Sequence, residues 1–273
     1  MRNFIWMSLL AAPLLGLAAR LVWLFLHQRS IIYDRGVLTR EALNAKIKDS
    51  FQGKAYDLPP FDALVIEPDA GPIMGTAVWF HGNGGIAADR AHFVPVFASR
   101  AIRIVLAEYP GHAARAGEPS EQSLVHDALA LYDHLHIRYP GPIWLIGESL
   151  GTGIVTQVAA QSSLKPERLV LLTPFLSLAE AAAERYPWVP VRLILKDLFD
   201  SARHLPKYRG PVSILIAQLD EVIPPRQAHT LSRIARLCGA DVRVLEIPDA
   251  THSGWCSLIS NDEWTYLLGA NPL

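Results

Sequence analysis

The sequence predicts an α/β fold, a mainly parallel sheet with helices on both faces. Three observations carry that expectation. Short apolar runs alternate with stretches of helical periodicity, a rhythm that implies right-handed βαβ units. The 273 residues show no composition break or long linker, so one large domain with a well-buried core accommodates them. Near the middle, Gly147-Glu148-Ser149-Leu150-Gly151 follows the buried-strand run Ile143–Ile146 and precedes the helical stretch Thr152–Ala160, and its glycines leave room for a sharp strand-to-helix turn.

From Phe4 to Leu26 the chain is apolar apart from Ser8, Gly16 and Arg20. At about 1.5 Å per residue this run can cross a hydrocarbon core of roughly 30 Å, so residues 1–27 are expected to anchor the chain in a membrane. The alternative is a cleaved signal peptide. Gly16-Leu17-Ala18 offers the small residues of a cleavage site, but Leu21–Leu26 prolongs the apolar run past it. Arg20 lies near the far end of the span, where its side chain can snorkel to the interface beside Trp23. Arg2 and the terminal amine precede the span, whereas Arg20, Arg29, Arg35 and Arg40 follow it, a bias that leans towards a cytoplasmic domain; cleavage would instead release the domain outside the cytoplasm.

Residues 28–273 form the expected globular domain. Gln28–Tyr33 and the polar segment to Pro60 lead into it without an assigned element. Strands are expected at Ala63–Glu67, Gly75–Phe80, Arg103–Ala107, Ile143–Ile146, Leu169–Leu172, Val212–Ile216 and Val242–Glu246. Helices are expected at 87–98, at 120–139, after the central turn, and at 225–237. Between 174 and 209 the pattern changes to an Ala-rich helix, then Tyr186-Pro187-Trp188-Val189-Pro190, then an apolar stretch through Leu195 and Phe199. That is too long for a connection and reads as a small lid-like insertion, with a helical pair packed on the sheet as its alternative.

The strand–turn–helix context marks Ser149 as a candidate nucleophile on an exposed elbow. A serine hydroxyl needs a base to take its proton and a carboxylate to orient that base. Asp220, just after Val212–Ile216, and His252, in the loop after the last strand, follow Ser149 in the chain order nucleophile, acid, histidine, and both lie at strand ends on its edge of the sheet. Glu221 is the rival acid if the turn is displaced by one residue, and Asp249 is too near His252 to be preferred. His81 reads as a strand-end residue; His92, His126, His134 and His136 fall on expected helices. Backbone N–H donors for an oxyanion are expected from Leu150 and from Asn83, in the loop His81-Gly82-Asn83-Gly84-Gly85.

Net charge is −1 with Lys and Arg scattered, which argues against nucleic acid as a partner. No histidine pair combines with a third ligand at a metal-binding spacing, and neither metal nor cofactor is expected. Cys238 and Cys256 read as thiols or as a single bridge.

Gly147–Gly151, His81–Gly85, Asp220 in a D-x-x-x-P turn and His252 together resemble the α/β-hydrolase superfamily. With the N-terminal run and Gln28-Arg29-Ser30-Ile31-Ile32-Tyr33, the chain is similar to the Bem46-like branch, whose animal relatives are membrane-anchored acylglycerol lipases and protein depalmitoylases. The resemblance covers nearly everything from about Gln28 onward. It implies an α/β-hydrolase fold and a membrane-anchored serine hydrolase acting on esters or thioesters of a small-molecule or lipid acyl substrate. Phe175, Leu176, Tyr186, Trp188 and Leu195 could then wall an acyl chain. One departure bears on the acyl entrance: Tyr109-Pro110-Gly111 continues as His112–Gly117 where relatives often carry a glycine-rich turn. Serine at 149 argues against the dehalogenase and epoxide hydrolase members, which use a carboxylate. A serine peptidase or amidase is the alternative within the fold. A non-catalytic, membrane-tethered interaction protein is the alternative outside catalysis, and the intact Ser149, Asp220 and His252 set argues against it.

Overall fold

The computed structural model describes residues 2–69 and 71–269, with side chains from residue 15 onward. Among the described residues eight strands form one sheet: β1 (Tyr56–Leu58), β2 (Ala63–Ile66), β3 (Gly75–Phe80), β4 (Ile102–Ala107), β5 (Ile143–Glu148), β6 (Arg168–Leu172), β7 (Val212–Ala217) and β8 (Val242–Ile247), in the order β1-β2-β4-β3-β5-β6-β7-β8. From β4 to β8 all neighbours are parallel; β1 and β2 add an antiparallel edge. Chain order reverses at β3, whose neighbours are β4 and β5, and crevices beyond the carboxyl ends of strands at such a switch point are where ligands bind in open α/β sheets.

Both faces of the sheet are covered because alternate strand residues on both faces are apolar. In β3, Val78 and Phe80 join a core with Leu131 and Leu135 of helix α4 (Glu121–Arg138), Ile154 and Val158 of α5 (Leu150–Gln161) and Leu231 of α9 (Pro225–Leu237). Ala77 and Trp79 point the other way, into a core with Phe97 of α3 (Val94–Ala98) and Trp264 and Leu267 of α10 (Asn261–Leu268). Trp79 stacks on Phe93 with ring centroids 4.3 Å apart. Each large side chain so enclosed contributes about 1.5–3 kcal/mol.

The structure adds elements that periodicity did not mark. Within the lead-in segment, α2 (Arg40–Phe51) is capped by Thr39, whose hydroxyl accepts the Ala42 N–H at 3.2 Å, and its buried Leu43 and Phe51 lie eight residues apart on one face. The expected helix 87–98 is a 3-10 run, Ala87–Phe93, followed by α3: the Asp89 carboxylate ties the Ile86 N–H at 2.8 Å, and Pro95 sits in the first turn of α3, where no N–H is required. The region from 174 to 209 holds three short helices, α6 (Leu178–Arg185), α7 (Val191–Ile194) and α8 (Ser201–His204). Cys238 and Cys256 are both free thiols.

Helix α1 runs from Arg2 to Ile32. The expected anchor falls partly on residues 4–14, whose side chains lie outside the described residues; among the described residues no helix is long and apolar enough to cross a membrane. Its second half is joined to the domain. Arg20, expected at a lipid interface, places its guanidinium carbon 5.7 Å from the Trp188 ring centroid.

Candidate active site

Ser149 links β5 to α5 with φ +49° and ψ −112°, a backbone state that costs a residue bearing a Cβ about 1–3 kcal/mol. The surrounding bonds hold it there. Its N–H donates to the Leu172 carbonyl at 2.9 Å, and its carbonyl accepts from Thr152 through N–H (2.9 Å) and hydroxyl (2.6 Å). The flanking glycines act through close approach rather than through positive φ. A Cβ on Gly147 would stand 2.6 Å from the Gly151 carbonyl oxygen, and one on Gly151 would overlap the carbonyl oxygen of Phe80. Any side chain there would push α5 off the strands that aim Ser149.

The structure brings Ser149, Asp220 and His252 together. His252 Nε2 lies 3.0 Å from Ser149 Oγ, and its Nδ1 lies 2.7 Å from Asp220 Oδ2. Nδ1 facing a carboxylate carries the proton, which leaves Nε2 free to accept from the serine hydroxyl. Asp220 Oδ1 accepts the N–H groups of Val222 (2.9 Å) and Ile223 (2.7 Å), so both carboxylate oxygens are occupied and the group cannot rotate away. Glu221 accepts only from the His252 backbone N–H, at 3.3 Å, and Asp249 is exposed. The carboxylate at the imidazole is therefore Asp220.

Asn83, Leu150 and Ser149 line the same cavity. Leu150 opens α5, so its N–H has no partner inside the helix, at the end where the helix dipole favours negative charge. The Asn83 carbonyl accepts the Asp34 N–H at 3.2 Å, tying its loop to the segment after α1.

Two side-chain contacts, a half-buried ion pair and a buried histidine–carboxylate hydrogen bond, brace the elbow and this loop, and no sequence motif announces either. Arg90 grips Glu148, the residue before Ser149, through Nε (3.0 Å) and Nη2 (2.8 Å), while Trp79 Nε1 donates to the same carboxylate at 3.3 Å. Burial pushes the Glu148 carboxyl up, yet Arg90 beside it more than offsets this and holds it below the usual range. Behind the loop, the buried His81 faces acceptors on both ring nitrogens: the Gly82 carbonyl at 2.8 Å and Glu108 at 3.3 Å. Glu108 also accepts the N–H groups of Ala87 and Tyr109, each at 3.0 Å, and these partners hold its carboxyl low against burial. Tyr109 donates its hydroxyl to the His81 carbonyl at 2.6 Å. Tyr109 thus props the His81 strand end, and no residue of Tyr109–Gly117 lines the cavity.

The cavity above Ser149 has a volume of about 590 Å³ and is chiefly apolar. Phe175, Tyr186, Trp188 and Leu195 line it as expected, whereas Leu176 packs against the sheet core. Its other wall was not legible in the sequence: Leu24, Gln28, Ile31 and Ile32 of α1. Among the described residues no group of His, Cys, Asp and Glu is arranged to hold a metal ion.

Residues 71–196 match the family described as serine aminopeptidase, S33. A protein of Mycobacterium tuberculosis with no characterised function is 32% identical over 176 residues, 63% of this chain and 61% of the relative. A lysophosphatidylserine lipase of Gallus gallus is 31% identical over 127 residues, 44% of this chain and 33% of that lipase. The chain therefore spans about three fifths or less of these relatives' lengths. Among solved structures, the monoacylglycerol lipase of Paleococcus ferrophilus superposes with a TM-score of 0.58 at 17% identity, over 80% of this chain and 99% of that one, which shows the same fold.

Proposed function

We propose that the chain is an α/β-hydrolase, a serine hydrolase cleaving carboxylic ester or thioester bonds of acyl substrates, a reading supported by the matching family, the lipase relative and the shared fold. The observation that carries this reading is His252 bridging Ser149 Oγ and Asp220 Oδ2 at the floor of an apolar cavity. Ser149 Oγ attacks the acyl carbonyl carbon while His252 Nε2 takes its proton; Asp220 keeps the imidazole oriented and stabilises the imidazolium. The N–H groups of Leu150 and Asn83 receive the charge that develops on the carbonyl oxygen. Collapse breaks the bond to the leaving alcohol or thiol, which takes the proton from His252 and leaves Ser149 acylated. Water, deprotonated by the same imidazole, then releases the acid and restores the serine.

The aminopeptidase description of the matching family makes amide cleavage the second reading. An aminopeptidase must neutralise a protonated α-amine, and the charged residues lining this cavity are Arg20, Arg185 and Glu221, a set that disfavours a cation. The apolar lining fits an acyl chain better. In this reading α6 and α7 form a lid over the chain, and α1 tethers the domain to a membrane, supported by the run from Phe4 and by exposed Leu15, Val22, Trp23 and Leu26.

Assay of the full chain in detergent against p-nitrophenyl esters, acyl thioesters and aminoacyl amides tests the reading. Ester or thioester turnover that disappears in Ser149→Ala is expected; turnover of amides alone would replace the reading with the peptidase one.

A further inference from the structure

We propose that the C-terminal half of α1 is itself a substrate-binding element: it forms one wall of the acyl slot and sets the acyl-chain length accepted, held in place by the buried carboxylate of Asp197. The inference rests on the serine-hydrolase reading above. Arg20, Leu24 and Gln28 are four residues apart, and Ile31 and Ile32 lie three and four beyond Gln28, so they share one face of α1, and all five line the cavity that contains Ser149. Leu26, on the opposite face, is 63% exposed. Across the slot stand Ala181, Val189, Val191 and Leu195 of the insertion, so neither wall exists without the other.

The two walls are fastened by a small set of bonds. The Asp197 side chain is 3% exposed and accepts from Arg29 Nε (2.8 Å) and Nη2 (3.0 Å), from the Tyr33 hydroxyl (3.0 Å) and from the Glu121 N–H (3.2 Å). A buried carboxylate so enclosed strongly resists separation from its donors, because leaving it unpaired costs several kcal/mol. Beside Arg29, Gln28 accepts the Lys196 N–H at 2.6 Å and donates to the Ile194 carbonyl at 3.1 Å. Arg29 and Tyr33, four residues apart, thus grip the end of the insertion while Leu24 and Ile32 face the space the insertion encloses. A helix fastened this firmly has a fixed distance to Ser149, and that distance limits the length of chain the slot holds.

The test compares kcat/KM for p-nitrophenyl palmitate and butyrate with the full chain in detergent micelles. Leu24→Trp fills the slot and is expected to lower the palmitate-to-butyrate ratio at least tenfold. Leu24→Ala, which opens the slot and cannot clash, is expected to raise that ratio at least twofold. Leu26→Trp, on the opposite face, is expected to leave the ratio within twofold of the unaltered chain. Asp197→Asn is expected to speed hydrogen exchange of the peptide spanning 20–32 and to lower the ratio. A ratio unmoved in both Leu24 variants, an equal shift in Leu26→Trp, or faster exchange in Asp197→Asn with no change in ratio would overturn the assignment. Hydrolysis with an unshifted ratio removes only the role of α1, whereas absence of Ser149-dependent hydrolysis of either ester in the unaltered chain overturns the hydrolase reading as well.

Discussion

The elbow and the slot solve different problems with different materials. Around Ser149, position is enforced chiefly by backbone sterics and backbone hydrogen bonds: glycines two residues to either side that admit no Cβ, a turn closed by Thr152 and an N–H held by the Leu172 carbonyl. The slot wall is enforced by side chains far apart in the chain, with Arg29 and Asp197 separated by 168 residues. A reacting hydroxyl must sit within a few tenths of an ångström of its base, and steric exclusion supplies that precision. A wall for an acyl chain needs only a steady position, and one well-enclosed carboxylate is sufficient. In the proposed enzyme the elbow is therefore set chiefly by backbone sterics, and the slot by side chains of distant segments.

Substitutions at the elbow and at the slot separate the two roles. The largest effect is expected at the acid: Asp220→Asn should lower kcat by about 10³–10⁴-fold, through loss of the tautomer and charge that support His252, while Glu221→Gln should stay within about threefold. Steady-state kinetics on one short ester decides it, and the reverse order of losses would return the acid to Glu221. Next, Arg90→Met leaves Glu148 charged and largely enclosed, which should cost about 2–4 kcal/mol in urea unfolding and reduce turnover of short and long esters alike. Arg29→Met, whose side chain is 47% exposed, should cost about 1–3 kcal/mol and act chiefly on long-chain esters. Equal losses on butyrate in these two variants would erase the distinction between elbow and slot.

The smallest effects are in the pH dependence of stability. Burial pushes His112 down to about 4 from its ordinary 6.5, so between those values the unfolded chain binds a proton that the folded chain does not. Stability should therefore fall as pH drops from about 6.5 to about 4, and His112→Phe should flatten that part of a Tm–pH curve. Glu148 acts in a lower window. Its carboxyl, held below the ordinary 4.5 by Arg90 in spite of burial, contributes stability that is present above 4.5 and lost as pH falls through its depressed value. Glu148→Gln should reduce the second decline and leave the first. A single decline common to all three proteins would contradict both assignments.

What could be read from the sequence follows the same division. Strands β2 to β8 were legible because each is dominated by apolar residues, and Ser149, Asp220 and His252 because each follows a strand end in one chain order. Strand β1, three residues with two exposed, carries too little pattern, and α2 buries only Leu43 and Phe51. Glu148 is held by Arg90, a pairing the sequence does not mark because the partners stand 58 residues apart. Asp197 offered a signal of a kind, an acid set between apolar Leu195 and Leu198–Phe199, and Arg29 and Tyr33 stand one helical turn apart. Pairing the two required the fold.

The central claim is that Ser149 is the nucleophile, and the most direct measurement is tryptic mass spectrometry of the full chain after treatment with a fluorophosphonate. One adduct on the peptide carrying Ser149, absent in Ser149→Ala and much slowed in His252→Ala, is the predicted result; an adduct on another residue, or labelling that persists in Ser149→Ala, would contradict it.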